Sequence, residues 1–282
     1  MKISRLAAII VVVCSPAAAQ TPAPGQAPTD YLKDIQIDIK SPITANGAVP
    51  VSQEPHHALA LKNEYVHVFN VTVPPLDATL LHQHDLPYIY LTLGTTDVVN
   101  AVQGKPEVEL TLQDGATRYT PGGFAHVART DAGIGFHNVT IELVKPQAAP
   151  RNLPVGAPER PLGSCPPFSA DPRRNPQIPY EQVVPCFETD EVRLAVVRVE
   201  GGKDYEEVVP ATAALLLAMS NANLDVALGG QHAAFLHVGD VLWLPAGVAR
   251  RVEDFIGIRS NFLLLSFKDT GTDKAAATNP AK

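Results

Sequence analysis

Two histidines separated by one residue carry the strongest chemical signal in the sequence. His82 and His84 stand just before an alternating run that begins at Tyr88. On a β-strand, residues two apart point to the same face, so both imidazoles are offered to a single point. Taken alone, such a pair is weak evidence for a metal site, because paired histidines on polar surfaces are common.

A third histidine, His126, strengthens that signal. It ends the pattern G-x5-P-x-G-x2-H, which begins at Gly115 and includes Pro121 and Gly123. Three neutral imidazoles would hold a metal ion and leave coordination positions open for water or substrate. We therefore predict one divalent ion at His82, His84 and His126, and nitrogen ligands allow iron, manganese, zinc, nickel or copper.

Other candidates follow from the alternation of residues along the same strands. Tyr88 and Tyr90 share a face with the paired histidines and are candidate catalytic residues, although two tyrosines could equally fill a barrel. His137 alternates with Val139 and Ile141, which favours a core histidine over a ligand-binding residue. The remaining histidines are interpreted as surface or packing residues, or show no partner pattern: His56, His57, His67, His232 and His237.

Short β-rich runs must position these side chains. They are bounded by Gly, Pro and Asp, and no amphipathic helix of convincing length occurs, which predicts an all-β sandwich or barrel. The runs are 66–73, 88–93, 107–112 and 136–144 in the first half of the chain, and 192–199, 214–219, 240–244 and 262–267 in the second half.

The two halves of the chain repeat one another. Residues 115–126 align with 239–250 at a constant offset of 124, and Gly, Pro, Gly and Ala coincide. Eleven of the 26 prolines lie in a belt between the halves. Because proline is disfavoured in helix interiors and central strands, we expect this belt to form neither. We predict a first barrel over 36–145, a connecting belt over 146–186 and a second barrel over 187–268.

These motifs resemble those of the cupin superfamily, which are G-x5-H-x-H-x3-4-E-x6-G and G-x5-P-x-G-x2-H-x3-N. His82, His84 and Gly94 match the first motif, and the pattern that ends at His126 matches the second. The resemblance covers roughly residues 60–144, and 190–267 as a second copy. It implies two tandem cupin-type jelly-roll barrels with a metal site in the first barrel.

The sequence departs from the cupin pattern at several positions. Pro87, Tyr88 and Ile89 occupy the region of the motif glutamate, so a 2-His-1-carboxylate site is not encoded. A three-histidine site, similar to that of thiol dioxygenase cupins, remains. In the second copy Arg250 replaces His126, and we assign Val208 and Pro210 to the positions of His82 and His84. Arg250 is therefore a candidate anion-binding residue, or else a solvated arginine.

The N-terminus has the features of a signal peptide. A basic start, an apolar centre and an A-x-A ending predict cleavage after Ala19, although a lipid anchor on Cys14 is an alternative. We expect residues 20–35 and 269–282 to be disordered. The protein would then be exported to a periplasm or the medium, where Cys165 and Cys186 are expected to form a disulfide rather than remain free thiols.

Composition excludes several function classes. The formal net charge of the 282 residues is -7, so the protein lacks the basic surface of a nucleic-acid binder. No apolar run after the first twenty residues is long enough to span a bilayer.

Two functions remain open at this point, and a third possibility is that no metal binds and the first barrel, like the second, is a remnant. One is a metal-dependent, dioxygenase-like oxidoreductase acting on a small molecule. The other is a non-catalytic bicupin that binds a small molecule or a protein, because fold does not imply function. Edge strands of such barrels can pair between subunits, so a homodimer is compatible with the sequence.

Overall fold

A computed structural model of the protein describes residues 47–131, 133–154, 160–166, 182–200, 203–257 and 259–268. These residues form β-strands and one 3-10 turn, Val51–Gln53, with no α-helix among them, which confirms the predicted all-β class. No helix in these ranges is long and apolar enough to cross a membrane. The predicted signal peptide and both predicted disordered segments lie outside the described residues.

The first half of the described chain forms two five-stranded sheets. One has the strand order β1-β4-β9-β6-β7 and the other β2-β3-β10-β5-β8. The strands are β1 (Val49–Pro50), β2 (His57–Lys62), β3 (Val66–Val73), β4 (His82–His84), β5 (Tyr88–Thr92), β6 (Thr96–Val102), β7 (Val108–Leu112), β8 (Thr117–Thr120), β9 (Phe124–Arg129) and β10 (Phe136–Leu143).

The second half repeats this plan with a six-stranded and a four-stranded sheet. Their orders are β11-β12-β13-β20-β15-β18 and β14-β19-β16-β17. The strands are β11 (Arg151–Asn152), β12 (Val183–Glu188), β13 (Val192–Glu200), β14 (Tyr205–Glu207), β15 (Ala214–Ala218), β16 (Asn223–Leu228), β17 (Gln231–His237), β18 (Val241–Leu244), β19 (Arg250–Asp254) and β20 (Arg259–Phe267).

Strands β3 and β10 have apolar residues on both faces because each sheet face packs on something different. On β3, Val66 and Val68 belong to an apolar cluster shared by both barrels, whereas Phe69 and Val71 belong to the interior of the first barrel. This is the near-continuous hydrophobic run expected of a strand buried on both sides. The sheet containing β3 and β10 therefore separates the first interior from the second barrel.

Aromatic rings anchor the contact between the barrels. Tyr65 stacks on Trp243 with ring centroids 5.4 Å apart, and Phe267 packs against both rings at 5.1 and 5.2 Å. Gly239 has a φ of 81°, and a Cβ there would lie 3.1 Å from the Asn70 side chain of the first barrel. That turn therefore favours glycine both for its backbone conformation and for its close approach to the other barrel.

The predicted connecting belt is partly strand. Its described residues include β11, and β12 begins within it. Pro185 lies inside β12, where the register with β13 shifts between Pro185 and Phe187. A bulge accommodates the missing proline N–H, which explains why a proline-rich stretch could still contribute a strand beside the sheet edge.

A disulfide fastens part of the belt to the second barrel. Cys165 and Cys186 are bonded, as the sequence predicted. On the other side, Gly163 accepts a hydrogen bond from the Tyr119 N–H of β8 at 2.7 Å, and the Cys165 N–H donates to Thr117. Residues 160–166 are thus hydrogen-bonded to the first barrel and covalently tied to β12 of the second.

Candidate metal centre

Four imidazoles meet inside the first barrel. His82 and His84 point inward from β4, and His126 on β9 lies directly opposite His82 in the strand register. The ring centroid of His126 is 4.5 Å from that of His82 and 5.4 Å from that of His84. The structure therefore brings together the three histidines selected from the sequence.

The fourth imidazole, His57, comes from β2 in the facing sheet. Its ring centroid is 4.6 Å from that of His82, and the ligand atoms of His57, His82 and His84 lie within 4.8 Å of one another. His57 was assigned above to surface or packing, and the structure corrects this. A bulge between Leu59 and Leu61 obscures the alternation of β2, so only the pairing of His57 with inward-facing Val71 reveals its direction.

Two of these rings are held by neutral acceptors. The Nδ1 of His82 donates to the Leu80 carbonyl at 2.9 Å, and the Nδ1 of His126 donates to the Asn100 side-chain oxygen at 2.6 Å. The Nε2 atoms of both rings are buried and have no hydrogen-bond partner. An unpaired buried nitrogen is costly, and a metal ion would remove that cost.

The other two rings face carboxylates. The Nδ1 of His57 donates to Glu54 at 2.5 Å, and the Nδ1 of His84 lies 3.4 Å from Glu142. Metal-ligating histidines characteristically bind an outer carboxylate or carbonyl through their second nitrogen, which fixes the tautomer and the ring orientation. All four rings thus have an outer partner at Nδ1, and the buried Nε2 atoms of His82 and His126 are left without one.

Burial keeps the central imidazoles neutral, which is the form that binds a metal. It lowers the pKa of His82 and of His84 to about 3, and the neighbouring His57 adds to both shifts. Burial likewise lowers the pKa of His126 well below its usual value, helped by His82 and His84.

The pKa values of the two carboxylates beside the rings are shifted in opposite directions. Burial raises the pKa of Glu54, but hydrogen bonds from His57 and His56 outweigh that effect and bring the pKa down to about 2. Glu142 has the opposite balance, since burial raises its pKa despite the nearby His67. Glu54 is therefore the firmly ionised carboxylate of the site.

A cavity of about 90 Å³ adjoins the imidazoles. Its polar lining is formed by histidine, tyrosine, threonine and asparagine side chains, and aliphatic and aromatic side chains form the rest. No Asp, Glu, Lys or Arg occurs among the described residues that line it. Besides the four histidines, these are Val71, Thr79, Tyr88, Tyr90, Val98, Asn100, Leu110, Leu112, Ala128, Phe136, Asn138 and Thr140.

Tyr88 and Tyr90 line this cavity, although not by the route expected from the sequence. They lie on β5, which belongs to the sheet facing β4, so the chain crosses between sheets before Tyr88. The Tyr88 ring stacks on His84 with centroids 4.4 Å apart. Burial raises the pKa of both phenols, so each remains a hydroxyl that can donate a hydrogen bond.

His137 and Arg250 do not join the cluster. His137 lies on the outer face of β10, where its Nε2 pairs with the Asn70 side chain at 2.8 Å near the second barrel. Arg250 is 3% exposed inside the second barrel, where its Nε is ion-paired with Glu207 and its Nη1 has no hydrogen-bond partner.

The register also corrects the equivalences between the two barrels. Glu207 pairs with Arg250 in the second barrel as His82 pairs with His126 in the first. Glu207 and Val209 therefore correspond to His82 and His84, in place of the Val208 and Pro210 assigned from the sequence. The sequence assignment corresponds to an offset of 126, whereas the register gives 125 here and 124 in the later motif.

Comparison with known proteins supports the fold. No protein-family model and no curated protein sequence matches the chain. Among solved structures, AerE from Microcystis aeruginosa aligns with a TM-score of 0.50 and 10% identity, covering 77% of this chain and 99% of that one.

Two further solved structures align less well. A cupin 2 conserved barrel domain protein from Leptotrichia buccalis gives a TM-score of 0.46 and 8% identity, covering 73% of this chain and 86% of its own. A salicylate 1,2-dioxygenase from Pseudaminobacter salicylatoxidans gives 0.45 and 12%, covering 72% and 71%. At these identities the likeness concerns the fold alone. Sheet order, internal repeat and motif positions agree in making this a bicupin fold, with two cupin-type jelly-roll barrels in one chain.

Proposed function

We propose that the first barrel binds one divalent metal ion through His82, His84 and His126 and acts on a small molecule as a dioxygenase-like oxidoreductase. The observation that carries this proposal is the set of converging imidazoles, each anchored through Nδ1, with the buried Nε2 atoms of His82 and His126 unpartnered. Iron, manganese, zinc, nickel and copper all accept such ligands.

The metal has to supply the reactive chemistry in this site. When bound, it would act as a Lewis acid or, if redox-active, as a carrier of electrons. The described cavity residues include no carboxylate, lysine or arginine, and burial raises the pKa of Tyr88 and Tyr90. The protein's own groups therefore serve to orient a substrate: the two tyrosine hydroxyls, Asn138 and Thr140 offer hydrogen bonds.

The cavity limits the size of the substrate. An engineered apolar cavity of roughly 150 Å³ holds benzene. The space of about 90 Å³ here is smaller, so a substrate of few non-hydrogen atoms fits without displacement of the walls. Val71, Leu110 and Phe136 would pack against its apolar part and keep water away.

The charge of the site favours an anionic oxygen ligand. The outer carboxylate of Glu54 compensates only part of the charge of a divalent ion, and no lysine or arginine among the described cavity residues could hold an anion elsewhere. A small carboxylate or enolate would therefore bind through oxygen directly at the metal position, with its apolar remainder toward the aliphatic wall.

Ligand binding without turnover is the second candidate function. It is favoured by the lack of a carboxylate or lysine among the described cavity residues, since the imidazoles are the proposed metal ligands and burial makes Tyr88 and Tyr90 weaker acids. In that case the same site would hold a metal and a ligand with no reaction.

Elemental analysis tests the metal proposal directly. Protein purified without a histidine tag or chelator should contain about one metal ion per chain, and the double variant His82→Ala/His126→Ala should contain none. His232→Ala, an exposed histidine in the second barrel, serves as the matched control and should retain the metal. A parent protein that stays metal-free after loading with each of the five ions would refute the proposal.

Oxygen uptake and product formation with small carboxylates would then separate the two candidates. If the protein is an oxygenase, Tyr88→Phe should lower kcat more than it raises KM, because the hydroxyl orients the substrate. Ligand binding without oxygen uptake or product, across all five metals, would favour the binding function.

We also propose that the protein is exported. The N-terminal signal pattern supports this, and so does the Cys165–Cys186 disulfide, since such bonds persist mainly in oxidising compartments. Cell fractionation of the full-length chain, followed by mass measurement of its N-terminus, should find the protein outside the cytoplasm and starting at Gln20.

A further inference from the structure

Glu54 is the most heavily bonded carboxylate near the imidazoles. It is 2% exposed and accepts hydrogen bonds from the backbone N–H groups of His56 at 2.8 Å and Leu80 at 3.1 Å. Its oxygens also accept from the Nδ1 atoms of His56 at 2.9 Å and His57 at 2.5 Å. A buried carboxylate is stable only with such compensation, so this network is specific to an ionised glutamate.

The network determines the orientation of His57. With Nδ1 bound to Glu54, the ring presents Nε2 on its other side, where the ligand atoms of His57, His82 and His84 lie within 4.8 Å of one another. His57 is 8% exposed, so the ring does not serve as a solvent-facing surface group.

Glu54 also influences a second ring. The Leu80 N–H donates to Glu54, and the Leu80 carbonyl accepts the Nδ1 hydrogen of His82 at 2.9 Å. One carboxylate therefore contacts His57 on one sheet directly and is linked to His82 on the facing sheet through the backbone N–H and carbonyl of Leu80.

We propose that His57 is a fourth metal ligand, and that Glu54 is the positioning residue that holds it. This rests on the proposed metal site and extends its ligand set from three imidazoles to four. The sequence lacks the glutamate that the first cupin motif would place on the metal. Glu54 supplies a negative charge instead, separated from the metal position by the His57 ring. Such an outer carboxylate makes the ring a stronger ligand.

The extended ligand set restricts the coordination chemistry. Four imidazoles fill a tetrahedral ion completely, so a substrate could bind only to an ion that accepts five or six ligands. A six-coordinate ion would keep two positions for the substrate. An all-nitrogen set also suits copper, nickel, zinc and iron better than ions that prefer oxygen ligands.

X-ray absorption of the zinc-loaded protein tests this proposal, because it counts the imidazoles bound to the ion. The parent should have four and His57→Asn three. The asparagine amide can still donate to Glu54 from the place of Nδ1 but offers no counterpart to Nε2, so the buried carboxylate stays paired. His56→Ala is the control, since His56 also bonds Glu54 yet lies outside the cluster, and it should retain four.

Glu54→Gln tests the positioning role. It should lower zinc affinity about 10- to 100-fold, the usual effect of losing an outer-sphere partner, with four imidazoles still bound at saturating zinc. Thermal unfolding of the metal-free variants checks that they fold. If His57→Asn does not fold, His57→Gln replaces it.

Each result has one meaning. Three imidazoles in both the parent and His57→Asn, with equal affinities, would overturn the role of His57 and leave the three-histidine site intact. Unchanged zinc affinity in Glu54→Gln would overturn the positioning role. A parent that binds no metal would instead refute the proposed function itself.

Discussion

In the first barrel His82 faces His126 across β4 and β9, whereas in the second barrel Glu207 faces Arg250 across β14 and β19. The first pair leaves two buried nitrogens without partners, and the second pair is an ion pair. The same position in the fold thus holds an unsatisfied site in one copy and a largely satisfied structural contact in the other.

The inward-facing residues of the neighbouring strands are also polar in the first barrel and apolar in the second. Asn138 and Thr140 on β10 line the cavity of the first barrel, and their counterparts on β20 are Phe262 and Leu264, which belong to the apolar core of the second. Tyr88 and Tyr90 similarly correspond to Ala214 and Leu216. A few inward-facing residues therefore decide whether the same arrangement of strands encloses a cavity, as in the first barrel, or a packed apolar core, as in the second.

The largest expected effect comes from truncating the filled interior. Phe262→Ala should lower the free energy of unfolding by about 3–5 kcal/mol, because it opens a cavity in a packed core. Its counterpart Asn138→Ala should cost at most about 1 kcal/mol, since that side chain already borders a cavity. Denaturant unfolding of the metal-free proteins measures both, and equal losses would contradict the contrast between the two interiors.

Metal binding should stabilise only through the first barrel. At a free zinc concentration 100 times Kd, the parent should gain about 2.7 kcal/mol by mass action. His126→Ala should lose this gain, and Arg250→Met should keep it. Scanning calorimetry with and without zinc provides the measurement, and loss of the gain in Arg250→Met would mean that the second barrel contributes to the site.

The ion pair of the second barrel should matter to folding without metal. Arg250→Ala should cost about 2 kcal/mol, less than for a fully buried pair because the Glu207 side chain is 33% exposed. In the metal-free protein His126→Ala should cost less, about 1 kcal/mol, since it loses only the Nδ1 hydrogen bond to Asn100 and its Nε2 has no partner to lose. Adding Glu207→Gln to Arg250→Met should recover part of the stability; no recovery would argue against the pair as the cause.

The smallest effect concerns an ionic cluster at the rim of the second barrel. Lys268, followed by Arg193, holds the pKa of Glu188 at about 2, below its usual value of 4.5. The stabilisation that ionised Glu188 gives to the folded state is therefore fully present above pH 4.5 and is lost as the pH falls through about 2. Glu188→Gln should cost about 1 kcal/mol at pH 7 and progressively less in acid, as measured by urea unfolding, and a cost that does not change with pH would contradict the role of the ionised carboxylate.

Much of this fold could be predicted from local patterns in the sequence. The runs at 66–73, 88–93 and 136–144 became β3, β5 and β10 within one residue, because each is long, apolar and bounded by turns. The H-x-H pair and the turn before His126 likewise follow local spacing. These features could be predicted because side-chain alternation and turn chemistry are encoded within a few neighbouring residues.

The remaining features depend on contacts distant in sequence. His57 and Glu54 join the site through strand pairing and a bulge, and neither leaves a periodic signal. The match of Glu207 with His82 required the observed register, since the offset between the halves is not constant. Pro185 appeared to exclude a strand that a bulge in fact permits.

Strand β10 contributes one face to the cavity of the first barrel and the other face to the contact between the barrels. Asn138 and Thr140 face the cavity and Glu142 faces His84, while Val139 and Ile141 pack toward the second barrel. Every residue from Asn138 to Leu143 is buried. This strand therefore has almost no position that tolerates substitution: a change on one face alters the cavity of the first barrel, and a change on the other alters its packing against the second. The cavity is therefore easier to reshape through β6 and β7, where Asn100, Leu110 and Leu112 line it from a sheet that carries no inter-barrel contact among its described core residues.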